Sequence, residues 1–427
     1  MIKKMLKKIS VLIFVSLVTL AFNVQAADQP APQPAPQPTT TVTQPASATA
    51  QPTLIPTPPN IDAKAYVLMD ANSGQIIAQK NMNQKLPPAS LTKIMTMYLI
   101  SQALQNKTIT PDDKVTISKE AWKMGGSKMF IKVGSQVPIN ELIQGIIVAS
   151  GNDACVAMSE HVAGSQDSFV GMMNAQAKAL KMNSTHYTDC TGMPDDNHYT
   201  TAYDIALLTR AVINNFPQDY QWYKQKWFTH NGIRQPNRNR LLWRYQYADG
   251  VKTGHTNAAG YCLFSSAKKD GIRLISVVLG APNDEARAKD SIHLLTYGFR
   301  FFNTHFIYQA GSTIAKLRAW FGSPKTFPAG VKKDLYLTTP VHQYQNTNIQ
   351  ITTQNNLHAP IKKGQTVGNI VIILKNKPIL STPLVALVDV KNGGLWRHMI
   401  DYIEYLFHKW FGSNSNVKHI SISGTPK

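Results

Sequence analysis

Hydrophobic positions recur along this chain with several different periods, and each change of period marks a candidate boundary. The first is the apolar run "VLIFVSLVTLAF", residues 11–22, which follows four lysines in the first ten residues. Val24 and Ala26 then supply small residues at positions −3 and −1 of a cleavage site. This three-part pattern predicts a secretory signal peptide over residues 1–26. Residues 27–60 have no hydrophobic period; Pro alternates with Gln, Ala and Thr. Such a stretch cannot bury a core and predicts an extended, polyproline-like linker.

From Ile61 regular patterns begin. "AYVLMDANSGQIIAQKN" predicts strands Tyr66–Asp70 and Gln75–Gln79, joined by a turn at Asn72-Ser73-Gly74. Helical periodicity follows around 90–105, 139–149, 152–163 and 167–181. Strand patterns return near 259–267 and 272–279, and an apolar-periodic helix covers 285–302. Strands at both ends with helices between them predict an α/β (α+β) domain over 61–304, an antiparallel sheet with a helical cluster. After residue 305 the runs "DLYLTTPV", "NIQITTQ", "VGNIVIIL" and "TPLVALVDV" are short, β-rich and separated by Pro, Gly, Asn and Lys. They predict a small all-β sandwich over 305–392. Residues 393–411 switch to a helical period again. Leu395, Met399, Tyr402, Ile403, Leu406 and Trp410 share one side, while Arg397, Asp401, Glu404, His408 and Lys409 lie mostly on the other. This amphipathic helix is too polar to span a bilayer and suits a membrane interface, with residues 394–411 as the anchor. The polar tail 412–427 has no assigned role.

Composition narrows the partners. Lys and Arg number 44 against 24 Asp and Glu, a net charge of +20. The segment 305–392 alone holds nine lysines and one arginine against two aspartates. That excess favours anionic surroundings, but no basic run interleaved with aromatics suggests a nucleic-acid groove, and no nucleic acid is expected. Three cysteines, Cys155, Cys190 and Cys262, allow at most one intramolecular disulfide. With no CxxC and no HExxH motif, neither a catalytic metal nor a cofactor is expected, and Cys155 reads as a small buried hydrophobe.

The chemistry centres on "PPASLTKIMTMYLI". Ser-x-x-Lys matches also occur at Ser265/Lys268, Ser266/Lys269 and Ser415/Lys418, so spacing alone decides nothing. Only Ser90/Lys93 stands at a helix start, after Pro87 and Pro88 and before Leu91, Ile94, Met95, Tyr98 and Leu99. Residues three apart on a helix share a face, which places the Lys93 amine over the Ser90 hydroxyl. A lysine acts as a base only when neutral, so burial or a neighbouring cation must lower its pKa. "VASGNDACVAM" adds Ser150 and Asn152 before a second helix; a hydroxyl there can relay a proton and an amide can orient a substrate carbonyl. Their bland reading is a helix cap. "DGVKTGHTNAAGY" adds Lys252 and Thr253 on an expected edge strand, suited to a carboxylate, with Gly254 allowing close approach of a ligand backbone. Its bland reading is an exposed turn. The backbone N–H groups of Ser90 and His255 can form an oxyanion hole.

In this order, Ser-x-x-Lys, Ser-x-Asn and Lys-Thr-Gly form a known set. The chain resembles the low-molecular-mass penicillin-binding proteins, serine-type D-alanyl-D-alanine carboxypeptidases, above all their membrane-anchored members five and six. "PASLTK", "SGNDAC", "IRQPNRNRLLW", "DGVKTGHT", "KDLYLT" and "IDYIEYLFHKWFG" carry the resemblance, which spans nearly everything after residue 60. It implies a β-lactamase-like transpeptidase domain. Ser90 would be the acylated nucleophile, Lys93 its base, and Ser150 the proton relay. Asn152, Lys252, Thr253, Gly254 and His255 would bind substrate, with Arg238 helping at the terminal carboxylate. The implied substrate is the peptidoglycan stem peptide ending in D-Ala-D-Ala, with β-lactams as inhibitors. The implied location is the periplasmic face of the inner membrane. Ser-Gly-Asn fits carboxypeptidases better than the Ser-Asp-Asn of class A β-lactamases. "TGMPDDNHYT" offers Asp195 and Asp196 but no Glu to activate a deacylating water, which leaves Lys93 and Ser150 as candidates. The alternatives are a β-lactamase, a D,D-endopeptidase or a catalytically silent peptidoglycan-binding protein. Penicillin turnover, cleavage of cross-linked muropeptides and absence of acylation would distinguish them.

Overall fold

The apolar runs "YVLM" and "LISVVL" lack the alternation of a half-exposed strand, and their packing explains why. The computed structural model describes residues 55–354, 356–411 and 417–421; the expected signal peptide and nearly all of the expected linker lie outside them. Strands β1 (Ala65–Asp70), β2 (Ile76–Lys80), β3 (Ala248–Thr256), β4 (Gly260–Lys269) and β5 (Ile272–Ala281) form one antiparallel sheet in the order β2-β1-β5-β4-β3. Both of its faces are covered. Val67 and Met69 of β1, with Ile275, Val277 and Leu279 of β5, enter one core. Tyr66 and Leu68, with Leu274 and Val278, enter the other. Helices α1 (Lys93–Gln105), α2 (Asn152–Ala163) and α3 (Ala202–Asn215) close the first core, and α4 (Asp284–Phe301) closes the second. Each of these fully buried aliphatic side chains contributes about 1.5–3 kcal/mol.

Local details depart from the periodicity. The first turn of the expected helix at residue 90 is a 3₁₀ turn, Ala89–Thr92, and the α-helix starts at Lys93. The expected helix 139–149 is α-helical over Ile139–Gln144 and then widens to a π turn over Gly145–Ala149. Two elements had signals that the hydrophobic pattern alone passed over. Thr201 caps α3, its Oγ1 accepting from the Asp204 N–H at 3.1 Å, the start signature Thr-x-x-Asp. A hairpin, Trp227–His230 with Ile233–Pro236, turns at Asn231-Gly232, both at positive φ, the strongest two-residue hairpin signal there is.

The C-terminal part is all-β, and its first strand, Phe302–Tyr308, already begins before the expected boundary. Six antiparallel strands run in the order Ala315–Arg318, Thr326–Gly330, Lys377–Ala386, Thr366–Leu374, Thr347–Thr353, Val417–Ser421. Ile349 and Ile351, with Ile370 and Ile372, alternate into its core beside Phe327 and Leu384. The last strand comes from the tail that the resemblance did not cover. The two parts meet through polar contacts. Thr304 Oγ1 donates to Asp70 Oδ2 at 2.7 Å, and the Thr338 N–H donates to Gln75 Oε1 at 2.6 Å.

Helix α5 (Leu395–Phe411) docks on the β-domain by its polar side. Asp401, fully buried, accepts from the Phe321 N–H at 2.8 Å and pairs with Arg318 at 3.1 Å and Arg397 at 3.0 Å. Glu404 pairs with Arg318 and with Lys325. The apolar side faces outward: Leu395 is 91% and Trp396 77% exposed, and Met399, Ile400, Tyr402 and Ile403 are exposed as well. An ordinary surface helix has the opposite polarity. Among the described residues no helix is long and apolar enough to cross a membrane.

Candidate active site

Three segments distant in sequence converge where β3 crosses the turn Ala89–Thr92. Pro88 precedes that turn and Ala89 takes a positive φ of 51°. The backbone then delivers Ser90 half-exposed and Lys93 completely buried at the head of α1. Lys93 Nζ donates to Ser90 Oγ at 3.1 Å, Asn152 Oδ1 at 2.7 Å and the Thr191 carbonyl at 2.7 Å. Burial lowers its pKa below the ordinary lysine range. These three acceptors use all the hydrogens of an ammonium. A neutral amine satisfies the two shorter bonds and turns its lone pair to Ser90.

Ser150 follows the π turn at φ 59°, in the left-handed region, a placement of the kind that recurs at functional sites. It caps no helix. Instead Lys252 Nζ donates to Ser150 Oγ at 2.9 Å and to the Thr253 carbonyl at 3.2 Å. Lys252 is no exposed turn residue; it is buried on edge strand β3. Burial lowers its pKa strongly, and the charges of Lys93 and Arg238 lower it further. The Asn152 amide is engaged at both ends, because Nδ2 donates to the Gly125 carbonyl at 2.7 Å. Asn152 therefore helps to hold Lys93 in place, while the second hydrogen of its Nδ2 meets only Met193 Sδ, at 3.7 Å.

Thr253 is buried, whereas His255 lies exposed at the same edge, 4.1 Å from Tyr261 ring to ring. Arg238 faces solvent at the rim, donating to Ser127 Oγ at 2.8 Å. Gly254 has a packing reason beside the expected one. A Cβ there would meet Leu91 Cγ at 3.0 Å and the Pro88 carbonyl oxygen at 3.1 Å. The missing side chain lets the strand cross the serine-bearing turn closely.

Residues that sequence reasoning missed complete the walls. Arg287 of α4 donates from Nη1 to the carbonyls of Gly254 at 3.0 Å and Cys262 at 3.1 Å, fastening β3 and β4 together. The segment Asp189–Met193 supplies the Thr191 carbonyl. Its Asp189 carboxylate accepts from the N–H groups of Thr191, Gly192 and Met193. Asp followed by Cys-Thr-Gly is a legible turn signal, whereas nothing in "DEARAKD" marks Arg287. Cys155, Cys190 and Cys262 are buried free thiols, and burial raises the pKa of each.

Comparisons with known proteins agree with this geometry. Residues 52–283 match the family of D-alanyl-D-alanine carboxypeptidases described as Peptidase S11, and residues 302–392 match the C-terminal domain of penicillin-binding protein 5. The carboxypeptidase DacA of Escherichia coli K12 is 45% identical over 368 residues, 84% of this chain and 91% of that protein. DacC of the same organism is 45% identical over 363 residues, 83% and 91% of the two chains. The structure of penicillin-binding protein 5 from Haemophilus influenzae superposes with a TM-score of 0.74 at 40% identity, covering 79% of this chain and 99% of that one. With the Ser90–Lys93 pair, the Lys252–Ser150 pair and an intact all-β domain in one fold, the chain belongs to the D-alanyl-D-alanine carboxypeptidase family of serine hydrolases.

Proposed function

We propose that this protein removes the terminal D-Ala from peptidoglycan stem peptides through an acyl-enzyme on Ser90. The observation that carries this reading is the position of Lys93 Nζ among Ser90 Oγ, Asn152 Oδ1 and the Thr191 carbonyl. Ser90 Oγ bonds to the carbonyl carbon of the penultimate D-Ala while its proton passes to Lys93. The oxyanion sits between the N–H groups of Ser90 and His255. The C–N bond to the terminal D-Ala breaks, and its nitrogen takes a proton relayed through Ser150, which Lys252 holds. Lys252, Thr253 and Arg238 supply the positive and hydroxyl groups for the terminal carboxylate. Water then cleaves the ester, with Lys93 or Ser150 taking its proton. A β-lactam takes the place of the dipeptide and leaves a slowly hydrolysed ester. Intact-mass measurement after incubation with a labelled penicillin is expected to show one adduct on Ser90. An unmodified Ser90 overturns the assignment.

The segments surrounding the enzyme carry a second part of the proposal. Residues 1–26 direct export, 27–60 are a linker, 61–304 hold the chemistry and 305–392 space it from the surface below. Helix α5 then lies in the outer leaflet of the inner membrane, on its periplasmic face. The outward apolar side and the inward Asp401 and Glu404 support this orientation. Replacing Leu395 and Trp396 together by Glu should lower the membrane-pelleted fraction at least about tenfold, by removing buried apolar area while Asp401 still docks the helix. Unchanged pelleting of that variant, and of one lacking residues 394–427, rules the anchor out.

A further inference from the structure

Beneath Ser90 and Lys93 lies a buried group that the chemistry above does not use. His198 is 2% exposed and packs edge-on against Tyr187 at 5.6 Å. Both of its ring nitrogens are engaged. Nδ1 lies 3.3 Å from the Thr188 nitrogen, 3.1 Å from Thr188 Oγ1 and 3.5 Å from Asp189 Oδ2. Nε2 lies 2.8 Å from Thr92 Oγ1. The Thr92 hydroxyl in turn donates to the Ala89 carbonyl at 2.9 Å. The chain of contacts runs from His198 through Thr92 to Ala89.

Ala89 and Thr92 bound the turn that presents Ser90, and Lys93 follows Thr92 directly. On the other side of His198, Asp189 Oδ2 stands 3.5 Å from Nδ1. That carboxylate shapes the segment whose Thr191 carbonyl accepts from Lys93 Nζ, bonding the Gly192 N–H at 2.6 Å, the Met193 N–H at 3.1 Å and Thr191 Oγ1 at 2.7 Å. His198 thus touches both supports of the Ser90–Lys93 pair, the turn beneath the serine and the segment that holds the amine.

We propose that His198 is a positioning residue that locks the Ala89–Thr92 turn against the Asp189–Met193 segment and so aims the Lys93 lone pair at Ser90. The proposal rests on Ser90 and Lys93 being nucleophile and base. The lock acts on the chemical step and not on substrate binding, because His198 lies under the turn and faces no open surface. Its loss misplaces the attacking oxygen and the amine by fractions of an ångström, a defect that lowers the acylation rate.

The test separates saturable binding of a labelled penicillin from the acylation rate constant, in the full chain. His198→Ala is expected to lower the rate constant about tenfold to a hundredfold while the half-saturating concentration stays within about twofold. His198→Gln, whose amide can bond Thr92 as donor or acceptor, should recover most of the rate. Thr92→Val should reproduce the loss of His198→Ala, and the double variant should be no slower than the slower single one. Thermal unfolding of each variant gives the folded fraction to which its rate is normalised. A wild-type rate in His198→Ala or in Thr92→Val overturns the proposal, as do a His198→Gln variant as slow as His198→Ala and losses that add in the double variant. If His198→Ala does not fold, the Thr92→Val and His198→Gln rates decide. A wrong nucleophile would show separately, as an unmodified Ser90 in the wild-type protein.

Discussion

Lys93→Ala is expected to lower acylation by penicillin, and release of D-Ala, by about three to four orders of magnitude. The variant loses the acceptor of the Ser90 proton, and nothing else within hydrogen-bond reach of Ser90 Oγ replaces it among the described contacts. Ser90→Ala removes the reaction altogether, and the double variant should be no worse than Ser90→Ala alone, because the two side chains act as a unit. The sign of the pH dependence follows from the same geometry. Only the neutral amine has a lone pair for the serine proton, so the acylation rate rises with pH through the pKa of Lys93. Burial lowers that pKa, which moves the acid limb down toward neutral pH. The residual activity of Lys93→Ala should lack this limb. A rate–pH profile that keeps the wild-type limb in Lys93→Ala assigns the base elsewhere.

Gly192→Ala should abolish measurable acylation for a different reason. Gly192 has a φ of +89°, which costs a side-chain-bearing residue about 1–2 kcal/mol. Its Cβ would also fall far inside van der Waals contact distance of the Ala89 carbonyl oxygen and 2.8 Å from Thr92 Oγ1. Both of these atoms belong to the serine-bearing turn, so relief of the clash must move that turn or the Thr191 carbonyl. Gly254→Ala is the milder companion. Its nearest neighbours stand at 3.0–3.3 Å, so each must give way by only a few tenths of an ångström. Loss of at least about a hundredfold in Gly192→Ala, against about tenfold or less in Gly254→Ala, is the expected order. Equal rates in both variants would show that the turn does not set the geometry.

The outward apolar side of α5 bears on how a long basic chain meets a membrane. A helix held by Asp401 and Glu404 cannot rotate its polar side to water without breaking a buried ion pair, which is strongly destabilising. Under the membrane anchoring proposed above, the orientation of the enzyme over the surface would be a property of the fold, and the charge excess of the β-domain would add attraction to anionic lipid.

The sequence by itself determined which residues are proposed to carry the chemistry and which segments form layers. Ser90 and Lys93 were legible because a helix start after two prolines distinguishes them from three decoys with the same spacing. Ser150, Asn152, Lys252 and Thr253 were legible as neighbours in a motif order. The strands "YVLM" and "LISVVL" were legible because uninterrupted apolar runs need cover on both faces. Only the tertiary structure decided what those residues do to one another. The Ser150 hydroxyl is no cap for α2, and Lys252, 102 residues further on, donates to it instead. Gly254 is glycine because a turn from residue 88 crosses it. The supports of the site, Thr191, Gly192, His198 and Arg287, act through a backbone carbonyl, a missing Cβ, a buried ring and a bridge between two strands. Apart from the turn signal at Asp189–Gly192, none of these leaves a period or a spacing in the sequence. Each depends on contacts between segments that the chain brings together only when it folds, and such contacts have no local signature.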